Sequence, residues 1–128
     1  YGIAYAAGTD IKKPPILTEA TENGLFTVEL RLEGESLFVG RNYATLFISD
    51  GKKNAVTGAR VGLLPVVTAH GDSTLLKPVV REKSDGLYSV EDLYIENEGN
   101  WTLRVTVKTG EISDTASFHF SNVKRRPQ

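Results

Sequence analysis

One run near the C-terminal end limits the fold more than any other stretch. Over residues 100–108, Trp101, Leu103, Val105 and Val107 alternate with Thr102, Arg104, Thr106 and Lys108. Successive side chains of a strand point to opposite faces, whereas a helix repeats its apolar positions every three to four residues. The run therefore predicts a strand with one face buried and the other wet. Residues 25–33 repeat the pattern, with Phe26, Val28, Leu30 and Leu32 on one side and Thr27, Glu29, Arg31 and Glu33 on the other.

Further strands are expected at short intervals. In 42–49, Ala44, Leu46 and Ile48 oppose Tyr43, Thr45 and Phe47, and Asp50-Gly51 supplies a turn. The run 59–67 is apolar enough to be covered on both faces, although Pro65 interrupts it. Residues 77–82 start near Pro78, which has no N–H to give to a ladder and so belongs on a sheet edge. In 87–96 the inward positions Tyr88 and Val90 change phase to Leu93 and Ile95; a β-bulge at Glu91-Asp92 would return both pairs to the core. After Thr109-Gly110, the run 111–120 places Ile112, Ala116, Phe118 and Phe120 inward and Ser113, Thr115, Ser117 and His119 outward.

No window shows helical periodicity. Roughly six to eight strands, with a turn signal about every ten residues, predict an all-β fold of the immunoglobulin-like antiparallel sandwich type with about seven strands. Its expected core contains Trp101, Leu103, Val105, Leu30, Val28, Ile48, Tyr88 and Phe118. The division read from the chain is a lead-in over 1–21 that holds Pro14-Pro15, a sandwich over 22–123, and a solvated basic tail over 124–128 with Lys124-Arg125-Arg126.

Composition narrows the function classes. With 40% hydrophobic and 24% charged residues the chain is an ordinary globular protein and not a disordered one. A formal net charge of -1 leaves no electrostatic footprint for nucleic acid. There is no cysteine, which excludes disulfides and thiolate metal sites. There is no methionine even at position 1, so the chain is expected to be processed or cut from a longer polypeptide. Tyr1–Ala7 is small and apolar, and Ala4-Tyr5-Ala6 fits a signal-peptidase site. It is read either as an apolar N-terminal strand or fraying tail, or as the end of a signal peptide or of a membrane anchor upstream of Tyr1.

Candidate chemistry is sparse. His70-Gly71-Asp72-Ser73 holds the side chains of a hydrolase triad, but in consecutive positions, where they cannot converge. A metal site is better posed: His70 follows an apolar strand, and Asp72 or Glu82 could complete a hard-ligand set. His119 falls on an outward face and need not meet it. Glu91-Asp92 and the pair Glu96 and Glu98 read as solvated strand edges rather than glycosidase acids. Asn100-Trp101-Thr102 matches an N-glycosylation sequon, but its Trp is better explained as core. Tyr43, Phe47 and Tyr94 could stack on sugar rings or pack across strands.

From about Asn42 to Val107 the chain resembles the YtkA-like/FixH family of exported bacterial β-sandwich domains. Four segments carry the likeness: Asp50-Gly51 with Thr57-Gly58-Ala59-Arg60-Val61; Leu64-Pro65-Val66-Val67-Thr68-Ala69-His70; Asp85-Gly86-Leu87-Tyr88; and Gly99-Asn100-Trp101-Thr102-Leu103-Arg104-Val105. The resemblance implies a domain anchored at, or secreted across, the cytoplasmic membrane, often tied to copper handling or oxidase assembly. His70 is the one family ligand that carries over, because Leu64 and Val67 stand where methionines are expected. Thioether donors select Cu(I), so copper follows from the resemblance alone and no cofactor is expected from the residues. Tyr88 reads equally well as a tyrosine whose hydroxyl ties down the start of a strand.

The expectation is thus a non-enzymatic periplasmic or extracellular accessory domain that binds a protein partner in an envelope complex. A structural or adhesive immunoglobulin-like module of a cell-surface assembly is the alternative. A carbohydrate-binding module, which needs a row of exposed aromatics on one sheet, ranks below both.

Overall fold

The computed structural model describes residues 16–127 except Glu35, Asp72 and Leu75; Tyr1–Ala7, Pro14-Pro15 and Asp72, the candidate metal ligand, therefore lie outside the described residues. The described residues form eight strands: β1 (Ile16–Ala20), β2 (Phe26–Leu32), β3 (Gly40–Asp50), β4 (Arg60–Val67), β5 (Val79–Ser84), β6 (Leu87–Ile95), β7 (Gly99–Thr109) and β8 (Ile112–Val123). They form two antiparallel sheets in the orders β1-β2-β3-β6-β5 and β4-β7-β8. Leaving β1 aside, β2 to β8 follow the connectivity of a seven-stranded immunoglobulin constant-type sandwich, four strands facing three.

The core lies where the alternation puts it. Trp101, Leu103, Val105 and Val107 of β7 are buried at the centre of the three-stranded sheet with Phe118 of β8 beside them, and Val28, Leu30, Leu46, Ile48 and Tyr88 of the facing sheet close over them. Each such side chain contributes roughly 1.5–3 kcal/mol by leaving water. The Trp101 Nε1–H donates to the Asn97 carbonyl at 2.8 Å, so the indole is buried without an unpaired donor. The sequon is equally structural, since Asn100 Oδ1 caps the Asn122 N–H at 2.8 Å and Thr102 is buried.

The phase change in β6 is a bulge. Asn42 pairs with Leu93 but Ala44 with Val90, so Glu91 and Asp92 together face Tyr43. Asp92 absorbs the extra residue at φ 60, a conformation aspartate tolerates better than most residues. Tyr88, Val90, Leu93 and Ile95 are all buried as a result.

Three details differ from the reading of the sequence. The sandwich already includes Ile16–Ala20, because β1 adds a strand beside β2 within the stretch expected as lead-in. Four of the five β1 residues are exposed, which is why no alternation marks it. In β4 only part of the strand is covered on both sides, with Val61 and Leu64 half-buried. The Pro65 carbonyl accepts from Thr74 N–H on the side away from β7, so the missing proline N–H costs the β4–β7 ladder nothing. Ile112 is 51% exposed at the hairpin tip, beyond the overlap of the sheets, and Phe120 is only half-buried.

The basic tail is also held. The Val39 N–H donates to the Lys124 carbonyl at 3.0 Å, Arg126 Nη2 to the Arg41 carbonyl at 2.7 Å, and the Arg126 guanidinium lies 5.2 Å from the centre of the Phe38 ring. All three residues stay exposed, but the tail is not simply solvated: the Lys124 backbone and the Arg126 guanidinium are docked.

Two polar clasps fix the connections. Tyr88 Oη donates to the Val56 carbonyl at 2.8 Å and accepts the Ala59 N–H at 3.2 Å, which anchors the crossing from β3 to β4. Burial pushes the Tyr88 phenol above its ordinary value; the Ala59 N–H works against that shift, and the nearby Glu82 charge adds to it. Under the same crossing Gly86 has φ 76, and a Cβ there would lie 2.8 Å from Ala55 Cβ and 3.2 Å from the Ile48 carbonyl oxygen. The second clasp is Asp114, buried at an inward position of β8. Its carboxylate accepts the N–H groups of Asn23, Leu25 and Thr115 and the Asn23 side-chain amide, at 3.0–3.3 Å. Burial pushes its carboxyl up, but the Thr21 hydroxyl beside it and the Leu25, Thr115 and Asn23 N–H groups outweigh that and hold it below the usual carboxylate value.

Tyr88→Phe is expected to cost about 1–3 kcal/mol in urea unfolding, because two backbone groups lose their partner. Gly86→Ala is expected to cost at least as much, on the order of 2–4 kcal/mol, through the positive φ and the contact with backbone. If either variant unfolds at the wild-type midpoint, the clasp is not holding the crossing.

The Asp114 clasp gives stability a pH dependence of definite sign. A folded value below the unfolded 3.8 means the contribution is complete above that value and fades as pH falls through the lower folded one. Thermal melts of wild type should therefore fall steeply below about pH 4, while Asp114→Asn should melt lower at neutral pH with a shallower acid limb. Parallel acid limbs would show that Asp114 is not the group responsible.

Candidate binding face

The sandwich leaves one face of each sheet outside, and the two are unlike. On the five-stranded sheet the pairing sets Ile16, Arg31, Thr45, Ser89 and Arg81 in one row across all five strands. Phe47 pairs with Leu87 in the next row, Tyr94 with Arg41, and Val79 with Glu91. Of eight large apolar side chains that stay exposed among the described residues, five lie on this face: Ile16, Tyr43, Val79, Leu87 and Tyr94. The other three, Leu25, Leu76 and Ile112, are scattered over a turn, a connection and a hairpin tip.

A trough crosses this face. One depression of about 440 Å³ is lined by residues that include Tyr43, Thr45, Ser89, Glu91, Arg31 and Lys83. A second of about 210 Å³ is lined by Ile16, Glu29, Arg31, Thr45, Phe47 and Leu87. They share Arg31 and Thr45, so they adjoin. The bulge shapes the first, because doubling Glu91-Asp92 against Tyr43 bends β6 away from the straight ladder. Ser89 Oγ in its wall is buried and, among the described residues, makes no hydrogen bond. The rim is charged in both senses. Arg81 Nε lies 3.6 Å from Glu91 Oε1, an exposed pair that contributes little to stability.

The outer face of the three-stranded sheet is mostly polar, with half-buried Leu64 and buried Val66 of β4 as its apolar members. It carries Arg60, Arg104 and Lys108 among Thr102, Thr106, Ser113, Thr115, Ser117 and His119. Here Thr68 Oγ1, Thr102 Oγ1 and His119 Nδ1 form a chain of 2.9 Å contacts from the turn after β4 across β7 to β8. His119 is therefore exposed and outward, tied to a threonine and remote in the fold from the apolar face.

The residues read as a metal set are not gathered by what is described. His70 is exposed in the turn after β4, where its N–H donates to the Val67 carbonyl at 3.2 Å. Glu82 sits on β5 and its Oε1 accepts the Gly58 N–H at 2.9 Å, which gives the carboxylate a structural task. No group of three His, Asp or Glu side chains able to hold a metal occurs among the described residues. Ser73 of the polar cluster after β4 bridges to Val66 as an added piece of strand. Tyr43, Phe47 and Tyr94, by contrast, do share one sheet face, as their alternation requires.

Sequence reasoning missed Ile16, Val79, Leu87 and Ser89 as members of this face. For Leu87 and Ser89 the signal was present, since inward Tyr88 and Val90 force their neighbours outward. Ile16 and Val79 lie on short edge strands whose pattern is too brief to show a period. Compared with known protein families, with curated proteins and with solved structures, the chain matches none.

Titration of metal-free protein with Cu(I), Cu(II) or Zn(II) is expected to show only weak binding that His70→Ala leaves unchanged. Stoichiometric, submicromolar binding lost in that variant would restore a metal role for His70.

Proposed function

We propose that the domain is a non-enzymatic binding module of the cell envelope that docks the outer face of its five-stranded sheet onto a protein partner. The observation that carries this reading is the gathering of Ile16, Tyr43, Val79, Leu87 and Tyr94 on that one face. Scattered apolar residues on a surface are ordinary, whereas a concentration rimmed by charge is the composition of an interaction site. Two exposed tyrosines suit such a face, because a tyrosine supplies apolar area and a hydroxyl while losing little conformational freedom on binding.

The rim supports a protein partner over a lipid surface. Glu29, Glu33 and Glu91 alternate with Arg31, Arg81 and Lys83, an arrangement that sets register against a partner of complementary charge pattern. The likeness to exported YtkA-like/FixH domains supports placement outside the cytoplasm. Three of the four segments that carry the likeness serve the fold: Ala59 and Tyr88 form the clasp, Gly86 lets the crossing pack, and Trp101 fills the core. They thus support kinship of architecture, while the partner is chosen elsewhere, on the sheet face.

The test is site-specific photocrosslinking in the native envelope, with a benzophenone side chain at Tyr43 or Leu87 and, for comparison, at Arg104 or Lys108. Discrete adducts to one protein of different mass are expected from the first two positions only. Equal yields from both faces, or none from Tyr43 and Leu87, would overturn the assignment. Tyr43→Ala combined with Leu87→Ser should abolish the adduct formed from Val79 while moving the melting temperature little, since both side chains are exposed.

A further inference from the structure

Four strand edges bound the two sheets, and three of them are protected. β1 spans five of the described residues. β5 carries Arg81, Glu82 and Lys83 in succession and follows Pro78. β4 holds Pro65, and Ser73 bridges to Val66 alongside it. Brevity, charge, proline and cover are the means by which natural sheets avoid pairing at their edges. β8 uses almost none of them. It is twelve residues long and contains no lysine, arginine, glutamate or proline. Its single carboxylate, Asp114, is buried beneath the Thr21–Leu25 turn rather than displayed.

The direction of the backbone groups shows which part of the edge is open. The Thr115 carbonyl accepts the Glu22 N–H, so the polar groups of Thr115 point away from β7. Every second residue of a strand points its N–H and C=O the same way, so those of Ser117 and His119 also face outward. No described residue bonds to them there. The open stretch ends at Asn122, where φ is 62 and the N–H is taken by the Asn100 side chain.

The residues along that opening are Ser117-Phe118-His119-Phe120-Ser121, a sequence that reads the same in both directions. If two antiparallel copies of it cross at His119, Ser117 meets Ser121 of the second copy, Phe118 meets Phe120, and His119 meets His119. Aromatic and hydroxyl pairs directly opposite one another are favourable across strands. A crossing centred on Ser117 would instead press the second copy against Thr115, which the Glu22 turn already covers.

We propose that the domain self-associates through β8, with two copies pairing antiparallel about a two-fold axis at His119 to join their three-stranded sheets. The contact is distinct from the apolar face of the five-stranded sheet, so its failure would leave that reading intact. A five-residue edge falls short of the roughly 1,000 Å² expected of a stable interface, so the dissociation constant is on the order of 100 µM.

Sedimentation equilibrium of the full chain, from about 10 µM to 1 mM, should follow a monomer–dimer isotherm in that range. Ser117→Lys with Ser121→Lys sets two ammonium groups against each other at both ends of the pairing, and should raise the dissociation constant about tenfold or more. Ser117→Glu with Ser121→Lys sets opposite charges there and should restore or tighten association. Circular dichroism melts confirm that each variant is folded. A protein monomeric throughout, a dimer indifferent to the paired lysines, or a Glu/Lys variant no tighter than the Lys/Lys one would each overturn the proposal. Rescue by the Glu/Lys pair supports it, because only this register brings position 117 to position 121.

Discussion

The hydroxyl of Tyr88 holds the point on which the two-layer arrangement turns. The chain leaves the five-stranded sheet at Asp50 and joins the three-stranded one at Arg60. A crossing over the end of a sandwich must satisfy its own backbone groups or stay in water. Tyr88 meets that demand from below, taking the Ala59 N–H and giving its proton to the Val56 carbonyl. The Val56 N–H in turn donates to the Ile48 carbonyl, and Gly86 leaves space for Ala55 to close down. Asp50 begins the turn by accepting the Lys52 and Asn54 N–H groups at 2.8 and 2.9 Å. With the crossing fixed, β4 can pair with β7 along its whole length.

Much of this was legible in the sequence, for a physical reason. A strand with one dry face must alternate, and the runs around Leu30, Leu46 and Val105 could not have been placed otherwise. The bulge was legible too, because a core cannot accept a phase change unless one residue is looped out. Edge strands were harder to read: in β1 only Leu17 packs against the core, and its register is imposed by β2, which no local pattern records. Asp114 was hidden differently. It occupies an inward position of an apolar alternation, where a carboxylate is tolerated only because a turn ninety residues distant in sequence, roughly, supplies its hydrogen bonds. The members of the apolar face were partly legible one by one. Their gathering on one surface depends on cross-strand register, which is a tertiary fact.

Core and binding face are coupled through the bulge. Its extra residue restores Leu93 and Ile95 to the interior, and the same residue doubles the backbone opposite Tyr43. The interior therefore dictates where the outer face is indented. Straightening β6 to fill the depression would move Leu93 and Ile95 onto the solvent side, at a cost of roughly 1.5–3 kcal/mol for each buried side chain exposed. The trough is kept by the packing of residues that do not line it, and substitutions of its exposed rim can vary without disturbing the fold.

The Asp114 clasp has a comparable reach. By drawing the Thr21–Leu25 turn onto β8 it covers that strand's edge around Thr115, and it does so with an ionised group whose burial is offset by four hydrogen-bond donors. The cover stops there because the turn is short and β1 departs in the other layer. Beyond it the edge carries only serine, histidine and phenylalanine, none of which repels a strand laid alongside. The same turn that secures the sandwich at one end thus sets the boundary of the edge left open at the other. Loosening it by protonating Asp114 would uncover Thr115 and lengthen the stretch on which a further strand can pair.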